Sequence, residues 1–377
     1  MKVFVAGDFC PQNRVIEKFD QGDYEFVLGD IKELISDADY SIINLECPVM
    51  RVEGRPIKKC GPNLKCSEKG LDAIKWVGFD GVSLANNHFL DYGEEGVEYT
   101  LEACKKYGID VVGGGKNIQE ASRILYKEFD GKTLAIINCC EHEFSIATDN
   151  TAGSNPLNPI QQYYAIQEAK TKADYVLVIV HGGHEHYQLP SIRMQDTYRF
   201  FVDSGADAVV NHHQHCFSGY EVYKRKPIFY GLGNFCFDRG ISKNSIWYEG
   251  FMVSICFDKQ IQFELHPYSQ CKEQATVRLE KIDTFAAQFE KLNTIINNRQ
   301  LLKKNNVEYY ASSLDSANMA LSPISNRYIR FLQHWHLFPK YRFGSKLVLR
   351  LYNFLLCEAH KDKIDFFLKS EYTKCSK

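Results

Sequence analysis

The sequence lacks the features expected of a membrane-spanning, disulfide-rich or strongly basic protein. No apolar run approaches the roughly 20 residues that cross a bilayer. The opening MKVFVAGDFCP has too few apolar residues after its lysine for a signal peptide. None of the 13 cysteines is spaced C-x-x-C, which favours free thiols in a reducing compartment. The net charge of -2 gives no reason to expect nucleic acid as a partner. We therefore expect a cytoplasmic protein.

Short β-branched apolar runs alternate with helical patterns, which is typical of an α/β domain. Helices are predicted at 93–107 and 161–173, and strands at 2–6, 40–45, 81–85, 109–112, 133–137, 175–180, 208–210, 227–230, 251–257 and 261–266. After about Tyr268 the composition shifts to Lys, Glu, Gln and Leu with helical periodicity over 272–304, and a further helix is predicted at 345–356. The sequence thus predicts a core domain, 1–268, and a mainly helical region, 269–377.

Polar side chains directly follow five of the predicted strands. They are Asp8, Glu46, Asn87 with His88, His181, and His213 with His215. Ligands bind at the carboxyl ends of strands in α/β sheets, so we expect these side chains to meet at one edge.

This set of carboxylates, one amide and several imidazoles suits Mn, Zn or Fe better than Ca or Mg. Taken as alternate residues of extended chain, His213 and His215 could serve two neighbouring ions with Glu46 between them. One or two such ions would supply a hydroxide nucleophile at neutral pH. His88 is the candidate proton donor to the leaving oxygen.

Six ordered motifs resemble the CapA family of capsule and poly-γ-glutamate synthesis proteins, a branch of the calcineurin-like metallophosphoesterases. The motifs are GDFCP, NLECPV, SLANNHFLDYG, VIVHGGHEHY, VVNHHQH and KPIFYGLGNFCFD, and the resemblance runs from about Met1 to Tyr268. It implies a four-layer α/β/β/α sandwich with metal ions at the strand ends.

The resemblance also implies residue roles. Asp8 and His215 would hold one ion, Asn87, His181 and His213 the second, and Glu46 would lie between them. His88 matches the general-acid position, while Asp91 and Asn234 match recurrent polar positions beside the ligands or substrate. The wider superfamily begins with Asp-x-His, whereas Cys10 stands at that second ligand position here.

Several neighbouring residues carry two interpretations. Cys10 is either a ligand or a packed core residue. Glu185, with its flanking histidines, lines the substrate cleft or belongs to a solvated loop, and the same choice applies to residues 141–143. His212 is expected to face away from its neighbours and to take no part in the site.

The segment from Arg327 to Arg350 contains six basic residues and no acid, interleaved with aromatic residues. Such a segment can seat a helix on an anionic membrane surface or bind a polyanion. The alternative, which we favour from sequence, is a helix packed on the core with its basic side chains extended to solvent.

Three functions follow. The first is metal-dependent hydrolysis of a phosphoester on an anionic small-molecule or polymer substrate in capsule, exopolysaccharide or poly-γ-glutamate biosynthesis. The second is hydrolysis or transfer at the amide bonds of poly-γ-glutamate, because a hydroxide can also attack acyl carbon. The third is a non-catalytic role in capsule assembly.

Overall fold

The fold is built on short strands whose apolar side chains are buried on both faces of two sheets. The computed structural model describes residues 1–51, 53–59, 61–240, 246–320 and 327–337. Within these ranges the strands are β1 (Lys2–Phe9), β2 (Tyr40–Leu45), β3 (Gly81–Ser83), β4 (Asp110–Val112), β5 (Gly114–Gly115), β6 (Leu125–Phe129), β7 (Lys132–Cys140), β8 (Gly153–Ser154), β9 (Tyr175–His181), β10 (Ala208–His212), β11 (Tyr220–Tyr223), β12 (Lys226–Phe229), β13 (Asn234–Cys236), β14 (Glu249–Cys256), β15 (Gln262–Gln270) and β16 (Val277–Leu279).

The helices connect the strands and cover the sheets. They are α1 (Arg14–Asp20), α2 (Tyr24–Ile35), α3 (Glu68–Val77), α4 (Gly93–Tyr107), α5 (Ile118–Ala121), α6 (Pro159–Lys172), α7 (Ile192–Asp203), α8 (Ile282–Asn297), α9 (Arg299–Ala320) and α10 (Arg327–His334). Capping residues determine where a helix begins and ends, as α3 shows. The Ser67 side chain accepts a hydrogen bond from the Lys69 amide at the start of α3, and Gly78 ends that helix in the left-handed conformation.

The first sheet has the strand order β16-β15-β14-β1-β2-β3-β4, and β13 also pairs with β1. Strands β1 to β4 are parallel to one another, whereas β14 is antiparallel to β1. The second sheet has the order β11-β12-β10-β9-β7-β6, with parallel pairing from β12 to β7. Each sheet therefore has a parallel centre whose carboxyl ends lie along one edge.

Alternation along β1 explains how four layers form. Val3 and Val5 belong to the core that the first sheet shares with the second sheet, α6, α7 and α8. Phe4 and Ala6, which point to the opposite face, belong to the core beneath α1 to α4. The order is helices, sheet, sheet, helices, which confirms the predicted α/β/β/α sandwich.

The first compact unit extends from Met1 to Lys303, so it is longer than the predicted 1–268 domain. Strand β15 runs through Tyr268, and β16 lies in a segment predicted to be helical. Helix α8 supplies Phe285 and Phe289 to the core. The prediction missed β16 because a three-residue edge strand is too short to show a period of two.

The second unit comprises residues 304–377, of which the structure describes 304–320 and 327–337. It contains α10 and most of α9. The predicted helix at 345–356 lies outside the described residues. Among those described, no helix combines the length and apolar character needed to cross a bilayer.

Candidate metal centre

The strand ends bring the predicted polar side chains to one edge of the two sheets. Asp8 lies within β1 and Glu46 directly follows β2, while His181 ends β9. At Asp8 the backbone amide donates to the Gly233 carbonyl at 3.0 Å. A Cβ atom at Gly7 would lie 2.0 Å from that oxygen, so glycine is needed there for β1 to approach the loop.

Two groups of possible ligand atoms meet at this edge. One contains Asp8, Glu46 and His215, and the other contains Glu46, His181 and His213; within each group the atoms lie within 4.8 Å of one another. Glu46 belongs to both. Its Oε1 atom is 3.6 Å from His181 Nε2 and 3.7 Å from His215 Nε2. This arrangement suits two ions that share one carboxylate.

Asn87 adds an amide oxygen to the second group. Its Oδ1 lies 3.0 Å from His181 Nε2, which in turn lies 3.1 Å from His213 Nδ1. The structure therefore brings together all six residues predicted as ligands.

The chemistry of Glu46 tests whether a metal centre fits. Both carboxylate oxygens are buried, and neither has a hydrogen-bond partner among the residues that the structure describes. Burial, and then the charge of Asp8, raise the pKa of Glu46 well above its ordinary value. An uncompensated buried carboxylate is costly, whereas cations on both sides would satisfy it. The donor set fits divalent ions for this reason.

Buried histidines here are in the form that ligates a metal. Burial, and then the proximity of His213, hold the pKa of His181 well below its ordinary value. Burial is also the largest cause that lowers the pKa of His215 to about 4. Both imidazoles are therefore neutral at physiological pH, as metal binding requires.

The turn after β10 corrects one step of the sequence interpretation. His213 and His215 are not in extended chain, since both have left-handed backbone angles, with φ of 91° and 54°. The turn directs both imidazoles to the centre, one to each group. Non-glycine residues adopt this conformation rarely, and they do so preferentially at functional sites.

His212 was wrongly expected to lie apart from the site. It is buried, and its Nδ1 lies 3.3 Å from Asp8 Oδ1. Burial raises the pKa of Asp8, but the contact with His212 and the neighbouring imidazoles outweigh it and leave that pKa below its ordinary value. The VVNHHQH motif contained His212, but strand alternation assigned it to the wrong face.

Three other predicted residues surround the first group in different ways. Asn234 Oδ1 lies 3.0 Å from His215 Nδ1, so it orients that ring. Glu185 is exposed; partial burial of its carboxylate raises its pKa, but the charges of His215 and His213 outweigh this and lower it. Cys10 is fully buried in the helix-side core and joins neither ligand group. Its position supports the interpretation of a packed thiol.

Glu143 contacts two residues of the second group. One oxygen lies 3.6 Å from His213 Nε2, and the other accepts a hydrogen bond from Asn87 Nδ2 at 3.4 Å. A carboxylate behind a metal-binding imidazole fixes which ring nitrogen carries the proton. The sequence indicated only that residues 141–143 follow a strand, because loop positions have no periodicity.

His88 lies beside Asn87 in a buried polar cluster. Its Nδ1 is 2.7 Å from Asp91 Oδ2 and 3.0 Å from Lys59 Nζ. Lys59 also forms an ion pair with Asp91 Oδ1. The predicted pair of His88 and Asp91 is thus in contact, and Lys59 is a third member that the sequence did not indicate.

The fold and site define a two-sheet α/β sandwich with a ligand set for divalent ions at its strand ends. A family model described as bacterial capsule synthesis protein PGA_cap matches residues 2–239, and the chain belongs to this family.

Two relatives place the chain within it. It is 34% identical over 244 residues to the capsule biosynthesis protein CapA of Bacillus anthracis, covering 63% of this chain and 59% of that protein. It is 32% identical over 239 residues to the PGA biosynthesis protein CapA of Bacillus subtilis, covering 62% and 63%. The matches therefore span about three-fifths of these relatives. A solved structure of a phosphatase from Mycoplasma pneumoniae is similar with a TM-score of 0.45 and 15% identity, covering 71% of this chain and 92% of that one.

Proposed function

We propose that the chain is a metal-dependent hydrolase of the phosphoesterase type that acts in capsule or poly-γ-glutamate biosynthesis. The observation that carries this proposal is Glu46, a fully buried carboxylate that has no hydrogen-bond partner in the described part of the chain and is shared by two ligand groups. The names of the Bacillus relatives support the biosynthetic context. The substrate is an anionic small molecule or polymer, because divalent ions attract and neutralise anionic oxygens.

The side chains have separate tasks in this reaction. When bound, divalent ions would lower the pKa of water and neutralise charge on the ester oxygens. Asp8, Glu46, Asn87, His181, His213 and His215 would hold those ions, and Mn, Zn or Fe suits this donor set. His88 is buried at the same edge and donates a proton to the leaving oxygen, while Asp91 orients its ring.

Hydrolysis of two phosphate esters tests the proposal. The full chain is loaded with Mn or Zn, its metal content is measured, and its turnover is measured with p-nitrophenyl phosphate and phenyl phosphate. We expect metal-dependent release of phosphate from both. His88→Asn should slow the hydrolysis of phenyl phosphate by about 10²- to 10⁴-fold, because the phenolate leaving group needs a proton. The hydrolysis of p-nitrophenyl phosphate should slow much less. Metal binding without turnover of either ester would contradict the phosphoesterase assignment.

Amide chemistry on poly-γ-glutamate is the second candidate function, favoured by the name of the Bacillus subtilis relative. The two candidates make different products. Release of glutamate or shortened chains from the polymer by a metal-loaded chain that leaves both phosphate esters intact would favour amide hydrolysis. A non-catalytic assembly role instead predicts that Asn87 and His88 substitutions leave the capsule unchanged in cells.

For the second unit we propose contact with an anionic membrane surface through α10. Tyr328, Phe331 and Trp335 are 72%, 60% and 61% exposed, and the segment from Arg327 onward is basic. Exposed aromatic side chains on and next to a short helix, in a segment whose sequence is basic, favour the membrane interface. Replacing the three aromatic residues with serine in the full chain should abolish pelleting with phosphatidylserine vesicles. Equal pelleting of both proteins would exclude this contact.

A further inference from the structure

The side chain of Lys59 is buried at the candidate centre although it carries a charge. It is only 2% exposed and comes from a loop, not from a strand or helix. Lysine is almost never fully buried unless it is paired, because removing its charge from water is costly. The contacts that offset this cost indicate what the residue does.

Lys59 is paired with a carboxylate that has a different partner for each oxygen. Asp91 Oδ1 faces Lys59 Nζ. Asp91 Oδ2 accepts a hydrogen bond from the Leu64 amide at 2.6 Å and lies 2.7 Å from His88 Nδ1. Since Asp91 is fully buried, no water competes for these positions. The carboxylate is therefore held against rotation from both sides.

This arrangement decides which nitrogen of His88 is free. A ring nitrogen has one hydrogen-bonding position, and an ionised carboxylate can only accept. His88 Nδ1 therefore donates to Asp91, the nearer of its two neighbours, while Lys59 pairs with the other carboxylate oxygen. Nε2 then faces substrate: in the doubly protonated ring it gives its proton to the leaving oxygen, and the neutral ring that remains keeps its proton at Nδ1.

The loop that carries Lys59 is fixed at both ends. The Met50 amide donates to the Cys66 carbonyl at 2.8 Å, and the Cys66 amide donates to the Pro48 carbonyl at 3.1 Å. Between these points the Ile57 amide donates to the Asp91 carbonyl at 2.9 Å. The loop thus delivers the ammonium group to Asp91 at a defined place.

We propose that Lys59 is a positioning residue for proton transfer. It fixes the Asp91 carboxylate, and through it the tautomer and orientation of His88. This inference rests on the proposed function, in which His88 protonates the leaving oxygen. Lys59 does not touch substrate in this account, and it leaves the metal ligands unaffected.

The test compares Lys59→Met, Lys59→Arg and the neighbouring exposed Lys58→Met in the metal-loaded full chain. We expect unchanged metal content in all three. For Lys59→Met, kcat with phenyl phosphate should fall about 10- to 100-fold, a share of the 10²- to 10⁴-fold effect of a general acid, with KM little changed. With p-nitrophenyl phosphate the loss should be small. Lys59→Arg should recover part of the rate, and Lys58→Met should match the unmodified chain.

A double-substitution cycle separates action through Asp91 from direct contact with substrate. If Lys59 acts through Asp91, adding Lys59→Met to Asp91→Asn should cost no further rate. The double variant also removes both members of the buried pair, so it avoids an orphaned charge if Lys59→Met does not fold. An additive loss, or equal losses with the two esters, would overturn the proposal.

A spectroscopic readout keeps this inference separate from the proposed function. With the His88 ring in its neutral form, nitrogen-15 spectra of histidine-labelled chain should give a single tautomer protonated at Nδ1, and Lys59→Met should lose this preference. An unchanged tautomer in that variant would refute the role of Lys59 even if the chain hydrolysed neither ester. Failure of ester turnover with the tautomer change intact would count against the proposed function alone.

Discussion

The two ligand groups share Glu46 but differ in charge and surroundings. The first has two carboxylates and one imidazole, and it is enclosed by Asn234 and by the Trp247 ring, 4.7 Å from that of His215. The second has one carboxylate, two imidazoles and an amide, and it touches Glu143, whose side chain is 39% exposed.

This difference indicates that the two groups have different roles in holding the ions and meeting substrate. A closed group with more negative charge should hold its ion more firmly, whereas a group beside an exposed side chain can exchange its ion and meet substrate. The shared carboxylate nevertheless makes the two groups interdependent.

Removing the shared carboxylate should have the largest effect. Glu46→Gln takes a ligand from both groups, so we expect loss of both ions and a fall in ester hydrolysis of at least about 1,000-fold, equivalent to several kcal/mol. Metal analysis and turnover measure this, with exposed Glu25→Gln as the control. Full metal content in the Glu46 variant would refute the shared ligand.

Single substitutions at the two histidines of the turn should separate the groups. His215→Ala should lower the affinity of the first group for its ion, and His213→Ala that of the second. Each loss should exceed the 10- to 100-fold loss of affinity expected when only a supporting contact is removed. Isothermal titration with Mn should leave one tight site in each variant. If both variants lose the same ion, the assignment of the two histidines to different groups is wrong.

A smaller effect is expected at Glu143, which supports only the second group. Glu143→Gln should lower the affinity of the second group for its ion about 10- to 100-fold and leave the affinity of the first group unchanged. Glu141→Gln is the matched control in the same loop, since its carboxylate pairs with Arg193 instead. An equal loss of affinity for both ions would show that Glu143 acts through the overall charge of the site.

The smallest effect should follow the loss of Cys10, which adjoins the first group without joining it. Cys10→Ala should keep both metal affinities within about threefold, less than 1 kcal/mol. The same titration measures this, and a selective loss of the first ion would identify the thiol as a ligand after all.

The sequence was most informative where an apolar strand ended in a polar residue. β1, β2 and β9 each bury a continuous apolar run, so these strands and the clustering of Asp8, Glu46 and His181 could be predicted together, although β1 continues to Phe9 instead of ending at Ala6. This works because parallel strands end at the same edge of a sheet.

The features missed from sequence depend on turns and loops. The left-handed backbone at His213 and His215 overrides strand alternation, which is why His212 was misjudged. Lys59 and Glu143 lie in loops far along the chain from the histidines that they contact. No local pattern encodes such contacts, since they arise only when the sheets pack together.

The shared carboxylate is tested most directly by anomalous diffraction at the Mn or Zn edge from crystals of the metal-loaded full chain. We expect two peaks, one on each side of Glu46, with Asp8 and His215 at one and His181, His213 and Asn87 at the other. No peak beside Glu46, with its carboxylate bonded only to protein groups, would contradict this expectation.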